Sequence, residues 1–389
     1  MRISKVVSNI QESPTLAITA RVNQLKAQGK DIIGFGAGEP DFDTPDDIKE
    51  AAVKAIKDGK TKYTPVGGIV ELKQAVCDVV NTEYGMQTAP ANVIVSCGAK
   101  HSLYNLFLTL FEAGDEVILP APYWVSYPPM LEIAGATPVI IDTRTTGLKL
   151  TADQVKEAIT PRTRGIIINS PSNPTGMVFD KKELIKIAEI CIEHDMLIVS
   201  DDIYNKIIFS GSEFFSLASI GPEVAERTFI IKGASKTFSM TGWRIGYCIG
   251  NKDVIAAMSR LQSQSTSNPT SFAQYGALQS LTGDQSIVGV RTKIFEERRN
   301  LMVSKIREIP GFSIIPPEGA FYCFPSVAGQ IERFGSATKL ASFLLDLAQV
   351  AVVPGIDFGA DDHVRFSFAT SEANIIKGLD RIKDALTKG

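Results

Sequence analysis

Residues 165–201, GIIINSPSNPTGMVFDKKELIKIAEICIEHDMLIVSD, decide the fold class. A β-branched apolar run (165–169) leads into a turn string of Ser, Pro, Asn and Gly (170–176). A helical period follows over 181–194, and a second apolar run closes the stretch at 197–201. Short runs without polar alternation are strands buried on both faces. Two of them joined through a helix make a β-α-β unit with parallel strands. Working outward, similar runs occur at 93–97, 117–119, 138–141 and 228–232, with helical stretches at 99–110 and 153–159. The expectation is an α/β fold around a mostly parallel sheet.

Two long segments follow residue 250, and after them the texture changes. Segments 253–281 and 288–309 read as helices. Runs at 311–315, 320–324, 350–353 and 364–368 read as strands, with helices at 336–348 and 372–387. We therefore expect a large domain over 48–289 and a smaller α+β domain over 290–389. The first 47 residues form an arm that completes the smaller one.

Composition narrows the function classes. The 389 residues are 44% hydrophobic and 21% charged, with 40 basic and 43 acidic side chains and a net charge of −3. Both signs are interleaved, so no nucleic-acid or membrane-surface footprint is expected. The five cysteines (Cys77, Cys97, Cys191, Cys248, Cys323) form no C-x-x-C pair, and the three histidines stand apart. That pattern predicts a reducing compartment and no metal site. No apolar run nears the roughly 18 residues of a membrane helix, and the amino terminus lacks a secretory h-region. A cytoplasmic protein is expected.

Ligands of open parallel sheets sit beyond the carboxyl ends of the strands. After 93–97 comes Gly98-Ala99-Lys100, where a helix opens and its N–H groups can face an anion. After 165–169 comes SPSNPTG (170–176). The run at 197–201 ends in Asp201 with Tyr204 close behind, and after 228–232 comes GASKTFSMTGWRIG (233–246). Singly, each is ordinary turn or cap chemistry. Together they supply what pyridoxal phosphate requires: an anion cup, a carboxylate for the ring nitrogen and a lysine for the aldehyde. Gly98, Ala99 and Lys100 with the Arg244 guanidinium can make the cup. Asp201 is the ring-nitrogen partner, and Lys236 is the aldehyde partner and proton shuttle.

GASKTFSMTGWRIG closely resembles the lysine signature of the class I and II aminotransferases, the fold-type I pyridoxal phosphate enzymes. Further strings carry the resemblance along the chain: GEPDFDTP (38–45), KTKYTPVGGIVELKQAV (60–76), APYWVSYP (121–128), SPSNPTG, SDDIY (200–204), EGAFY (318–322) and VRFSFATSEANI (364–375). Within the family the chain is most similar to the bacterial branch of aspartate enzymes. The resemblance implies a large domain with a mostly parallel seven-stranded sheet between helices. It implies that Asn173 and Tyr204 bond the cofactor's phenolic oxygen, that Trp124 stacks on its ring and that Ser235 lies near the phosphate. Arg365 would fork onto the substrate α-carboxylate with help from the Gly38 backbone; read from its residue type alone, it is an exposed strand-end charge. Tyr63 would reach the partner's phosphate, implying a homodimer.

Departures from the family pattern bear on specificity. Gly233 stands where many relatives place a phosphate-binding serine, leaving Ser235 or Lys100 to compensate. The arginine that reads the distal carboxylate in animal and enteric relatives has no counterpart in the stretch 263–268. Gln11 and Glu12 occupy the region of a lysine associated with prephenate use. A nicotinamide fingerprint fails because Glu39, Pro40 and Asp41 follow Gly34-Phe35-Gly36-Ala37-Gly38 where a helix should open. Gly98-Ala99-Lys100-His101 is not a P-loop, and the 37 residues before GEPDF show no basic helix-turn-helix. The expected activity is transamination of L-aspartate with 2-oxoglutarate by a ping-pong mechanism through a lysine Schiff base. Prephenate, alanine or an aromatic amino acid as substrate, or a lyase reaction, stand as alternatives.

Overall fold

The computed structural model describes residues 2–8, 10 and 14–388. Its strands are β1 (Ile33–Gly34), β2 (Val93–Ser96), β3 (Glu116–Ala121), β4 (Thr137–Asp142), β5 (Thr163–Asn169), β6 (Leu197–Asp201), β7 (Thr228–Gly233), β8 (Gly246–Ile249), β9 (Tyr322–Cys323), β10 (Val350–Ala351), β11 (Val353–Pro354) and β12 (Val364–Ser367). Seven of them form one sheet in the order β2-β8-β7-β6-β5-β3-β4. Strands β3 to β7 pair in parallel, while β8 is antiparallel to both neighbours. The α/β architecture expected from residues 165–201 is therefore the one observed.

Two-residue periodicity explains why these runs are apolar throughout. Ile166, Ile168 and Ile198 point to one face and pack with Leu184, Ile187 and Cys191 of the helix Lys181–Glu193. Ile167, Val199 and Ile231 point to the other and meet Leu103, Leu106 and Phe107 of the helix Ala99–Leu110. Successive side chains of a strand alternate between faces, and both faces are covered, so every position must be apolar.

A second assembly has the antiparallel order β11-β12-β9 and a parallel pair, Ile33↔Val350 and Gly34↔Ala351. Its core joins Phe295 and Met302 of the helix Ser286–Ile306 to Phe321, Phe366, Ile375 and Leu379. The β1–β10 pair ties the amino-terminal segment to this assembly.

Local expectations fail in several places, among them the run 350–353, which is split between β10 and β11 in different sheets. The segment 253–281 is two helices, Lys252–Ser263 and Ser271–Thr282. Pro269 cannot donate its nitrogen to a continuing helix, and Ser267 takes a left-handed φ of 60°. The run 311–315 forms only the single bridge Ser313↔Ser326, with Gly311 at φ 76° before it and Pro316-Pro317 after it. The helix expected at 336–348 is regular over Ala337–Phe343 and widens to a π-helical turn over Leu344–Ala348. Strand β8, which begins at the last residue of the lysine string, was not expected. Among the described residues no helix is long and apolar enough to cross a membrane.

Candidate active site

The carboxyl ends of β2, β3, β5, β6 and β7 open onto one cavity of about 500 Å³. Asp201 ends β6 and Lys236 lies on the turn after β7, so adjacent parallel strands aim both at the same space. Asp201 is buried. The Tyr127 hydroxyl donates to its Oδ2 at 2.6 Å and the Ile203 N–H to its Oδ1 at 3.3 Å. Burial raises the Asp201 carboxyl to about 6, against the pull of Tyr127, the Ile203 N–H and the Lys236 charge. Lys236 Nζ donates to the Gly38 carbonyl at 2.6 Å. Burial pushes its ammonium down to about 8, opposed by Glu39 and Asp201 and assisted by Arg365 and Arg244.

Arg365 sits on β12, from the second assembly, and is 1% exposed. Its Nη1 donates to Asn173 Oδ1 and its Nη2 to the Gly36 carbonyl, both at 2.9 Å. Its guanidinium carbon lies 4.6 Å from the Tyr322 ring centroid and 5.0 Å from that of Phe358. The buried Nε has no partner among the described residues. The residue-type reading of Arg365 as an exposed charge is thus corrected: two aromatic rings and a carbonyl shield it. Arg365 lines the cavity with one unused hydrogen on each Nη, donors suited to an anionic ligand.

Opposite it, Ala99 and Lys100 begin the helix Ala99–Leu110, whose free N–H groups face the cavity with Arg244 and Ser235 beside them. Gly98 caps that helix at φ 94°. A Cβ there would run into the Arg244 guanidinium. Gly98→Ala is expected to cost about 1–3 kcal/mol from the left-handed backbone alone, read as a lower denaturant midpoint. It should also dislodge Arg244 from the Cys97 carbonyl, 3.3 Å away.

Trp124 forms the wall after β3, edge-on to Tyr127 at 5.2 Å, with Lys100 Nζ 4.9 Å from its ring centroid. Asn173, Tyr204 and Gly38 line the cavity as well. Of the expected site residues, Gly98 lies just behind the cup and Tyr63, 91% exposed, lies outside this cavity. The stretch 263–268 does not line it, and Gln11 and Glu12 fall outside the described residues. Sequence reasoning assigned no role to Tyr127 or Tyr322, although APYWVSYP and EGAFY contain them. No group of three or more His, Cys, Asp or Glu could hold a metal ion among the described residues.

The family model for aminotransferase class I and II matches residues 30–382. The aspartate aminotransferase of Geobacillus stearothermophilus is 48% identical over 385 residues, covering 98% of each chain. A probable aspartate/prephenate aminotransferase of Aquifex aeolicus is 46% identical, over 98% of this chain and 97% of that one. Among solved structures, the aspartate aminotransferase of Thermus thermophilus with maleate superposes with a TM-score of 0.95 at 41% identity. That match covers 99% of this chain and 100% of the other.

Proposed function

The chain belongs to the class I and II aminotransferase family, and from that premise we propose that it moves the amino group of L-aspartate to 2-oxoglutarate, using pyridoxal phosphate held in the cavity between Asp201 and Lys236. One observation carries the reading. A buried carboxylate, an amine and a buried arginine all line a single chamber.

The donor set fits the cofactor. A helix amino terminus with Lys100, Arg244 and Ser235 suits a phosphate, with Gly98 leaving the room that Arg244 occupies. Bound there, pyridoxal phosphate supplies an aldehyde that takes up amines and a ring that draws electrons from the substrate α-carbon. In this reading Asp201, as the anion, holds a proton on the ring nitrogen. Asn173 and Tyr204 bond the phenolic oxygen, and Trp124 covers the ring. Arg365 grips the α-carboxylate with the Gly38 backbone. Lys236 Nζ would take the proton from the substrate α-carbon and pass it to the carbon that had been the cofactor's aldehyde. An ammonium lowered to about 8 leaves a useful fraction of free base near neutral pH.

We also assign Tyr63 to the partner's phosphate in a homodimer. Its loop is held rigidly, with Ser271 Oγ donating to the Lys62 carbonyl at 2.6 Å and Gln274 Nε2 to Thr64 Oγ1 at 3.1 Å, while the ring itself is 91% exposed. A large domain over 48–289 and a small one over 290–389 with the amino-terminal arm agree with the two assemblies. The five unpaired cysteines favour the cytoplasm.

Protein mixed with pyridoxal phosphate and reduced with borohydride should carry label on one peptide, that containing Lys236. Label elsewhere overturns the assignment. Mixing the loaded protein with single amino acids and following its visible spectrum then ranks aspartate against prephenate-linked, alanine and aromatic substrates.

A further inference from the structure

Tyr322 stands between the two halves of the site. It lies on β9, paired antiparallel with the Arg365-bearing β12 (Ser367↔Tyr322), and is fully buried. Its hydroxyl is 2.9 Å from that of Tyr204, and either oxygen can be the donor. Its ring lies 4.6 Å from the guanidinium carbon of Arg365. Its hydroxyl is also 3.6 Å from where a Cβ on Gly38 would sit, beside the carbonyl that accepts from Lys236. Among the described residues, neither tyrosine hydroxyl makes another hydrogen bond.

Two hydroxyls in contact make one hydrogen bond between them, so its direction matters. If Tyr204 donates to Tyr322, its proton is turned away from the cavity. If Tyr322 donates, the Tyr204 proton is free to point at an acceptor there, and the chain of two O–H bonds strengthens that donation. The Arg365 cation against the Tyr322 ring favours the second arrangement, because a neighbouring positive charge makes a phenol the better donor. We propose that Tyr322 is a positioning residue that turns the Tyr204 proton into the cavity and couples it to the charge on Arg365. A carboxylate arriving at Arg365 neutralises that charge and loosens the Tyr204 donation, so substrate binding is felt at the cofactor's oxygen. The inference rests on the proposed roles of Tyr204 and Arg365. Both hydroxyls stay protonated, since burial raises each above the ordinary phenol range.

Tyr322→Phe keeps the ring under Arg365 and removes only the hydroxyl. Wild-type and variant, each loaded with pyridoxal phosphate, are titrated by visible absorbance. A weaker bond to an anionic oxygen disfavours its deprotonated form, so the variant's midpoint should rise by about half to one pH unit. The KM for aspartate should stay within about twofold while kcat falls severalfold. In a Tyr204→Phe background the same change should move the midpoint no further. An unmoved midpoint in the single variant, or an equal shift without Tyr204, overturns the proposal. If Tyr322→Phe does not fold, 3-fluorotyrosine at 322, a more acidic phenol of nearly the same size, should lower the midpoint, and no change rejects the idea. Wild-type protein that gains no visible band with pyridoxal phosphate refutes the functional reading itself, and this inference with it.

Discussion

Lys236→Ala is expected to lower transamination by on the order of 10⁴-fold or more, since in the proposed reading the amine that holds the cofactor and the base that moves the proton leave together. That factor corresponds to about 5 kcal/mol of barrier. No neighbouring amine can substitute. Lys232, four residues earlier, is turned to the other side, where its Nζ meets Glu83 Oε2 at 3.2 Å and lies 4.7 Å from the Tyr84 ring centroid. Lys100 lines the same cavity but sits over Trp124, at the phosphate end in the proposed arrangement. The loss should be catalytic and not structural, because Lys236 contributes a single hydrogen bond, to Gly38. The cofactor-free variant should unfold within a few degrees of the wild type, as one ordinary hydrogen bond is worth about 1 kcal/mol. Activity above a hundredth of wild type would remove Lys236 from the mechanism.

What the sequence disclosed follows from how each signal is encoded. Parallel strands bury both faces, so GIIIN, LIVSD and TFIIK announce themselves as unbroken apolar runs, and all three are found as strands. Asp201 and Lys236 were legible because strand ends of such sheets are where ligands bind. Strand β8 was not, since GYCI follows the lysine string with no helix between and runs against its neighbours. Apolar periodicity also continues across a break, which hid the turn at Pro269 between two helices. Tyr127 and Tyr322 carry no signal that separates them from core aromatics. Their roles depend on where a hydroxyl ends, 2.6 Å from Asp201 in one case and 2.9 Å from Tyr204 in the other. Arg365 shows the same limit: its position on a strand is readable, but its burial is created by Phe358 from the preceding turn and by Tyr322 from another strand.

Arg365→Lys tests the other end of the chamber. The guanidinium has five N–H donors, of which Asn173 Oδ1 and the Gly36 carbonyl take one each. One hydrogen remains on each Nη, which is enough for two parallel bonds to a carboxylate. A lysine ammonium is a point charge on a shorter reach, so it can keep the attraction but not the fork. kcat/KM for aspartate should fall by on the order of 10²-fold, about 2.7 kcal/mol. Because the α-carboxylate is common to every amino acid, the loss should be nearly the same for aspartate and alanine, leaving their ratio within about threefold. A loss confined to aspartate would instead make Arg365 the reader of the distal carboxylate, and an unchanged kcat/KM for both would exclude it as an anchor. The ratio, not the size of the drop, therefore locates the substrate's orientation in the chamber.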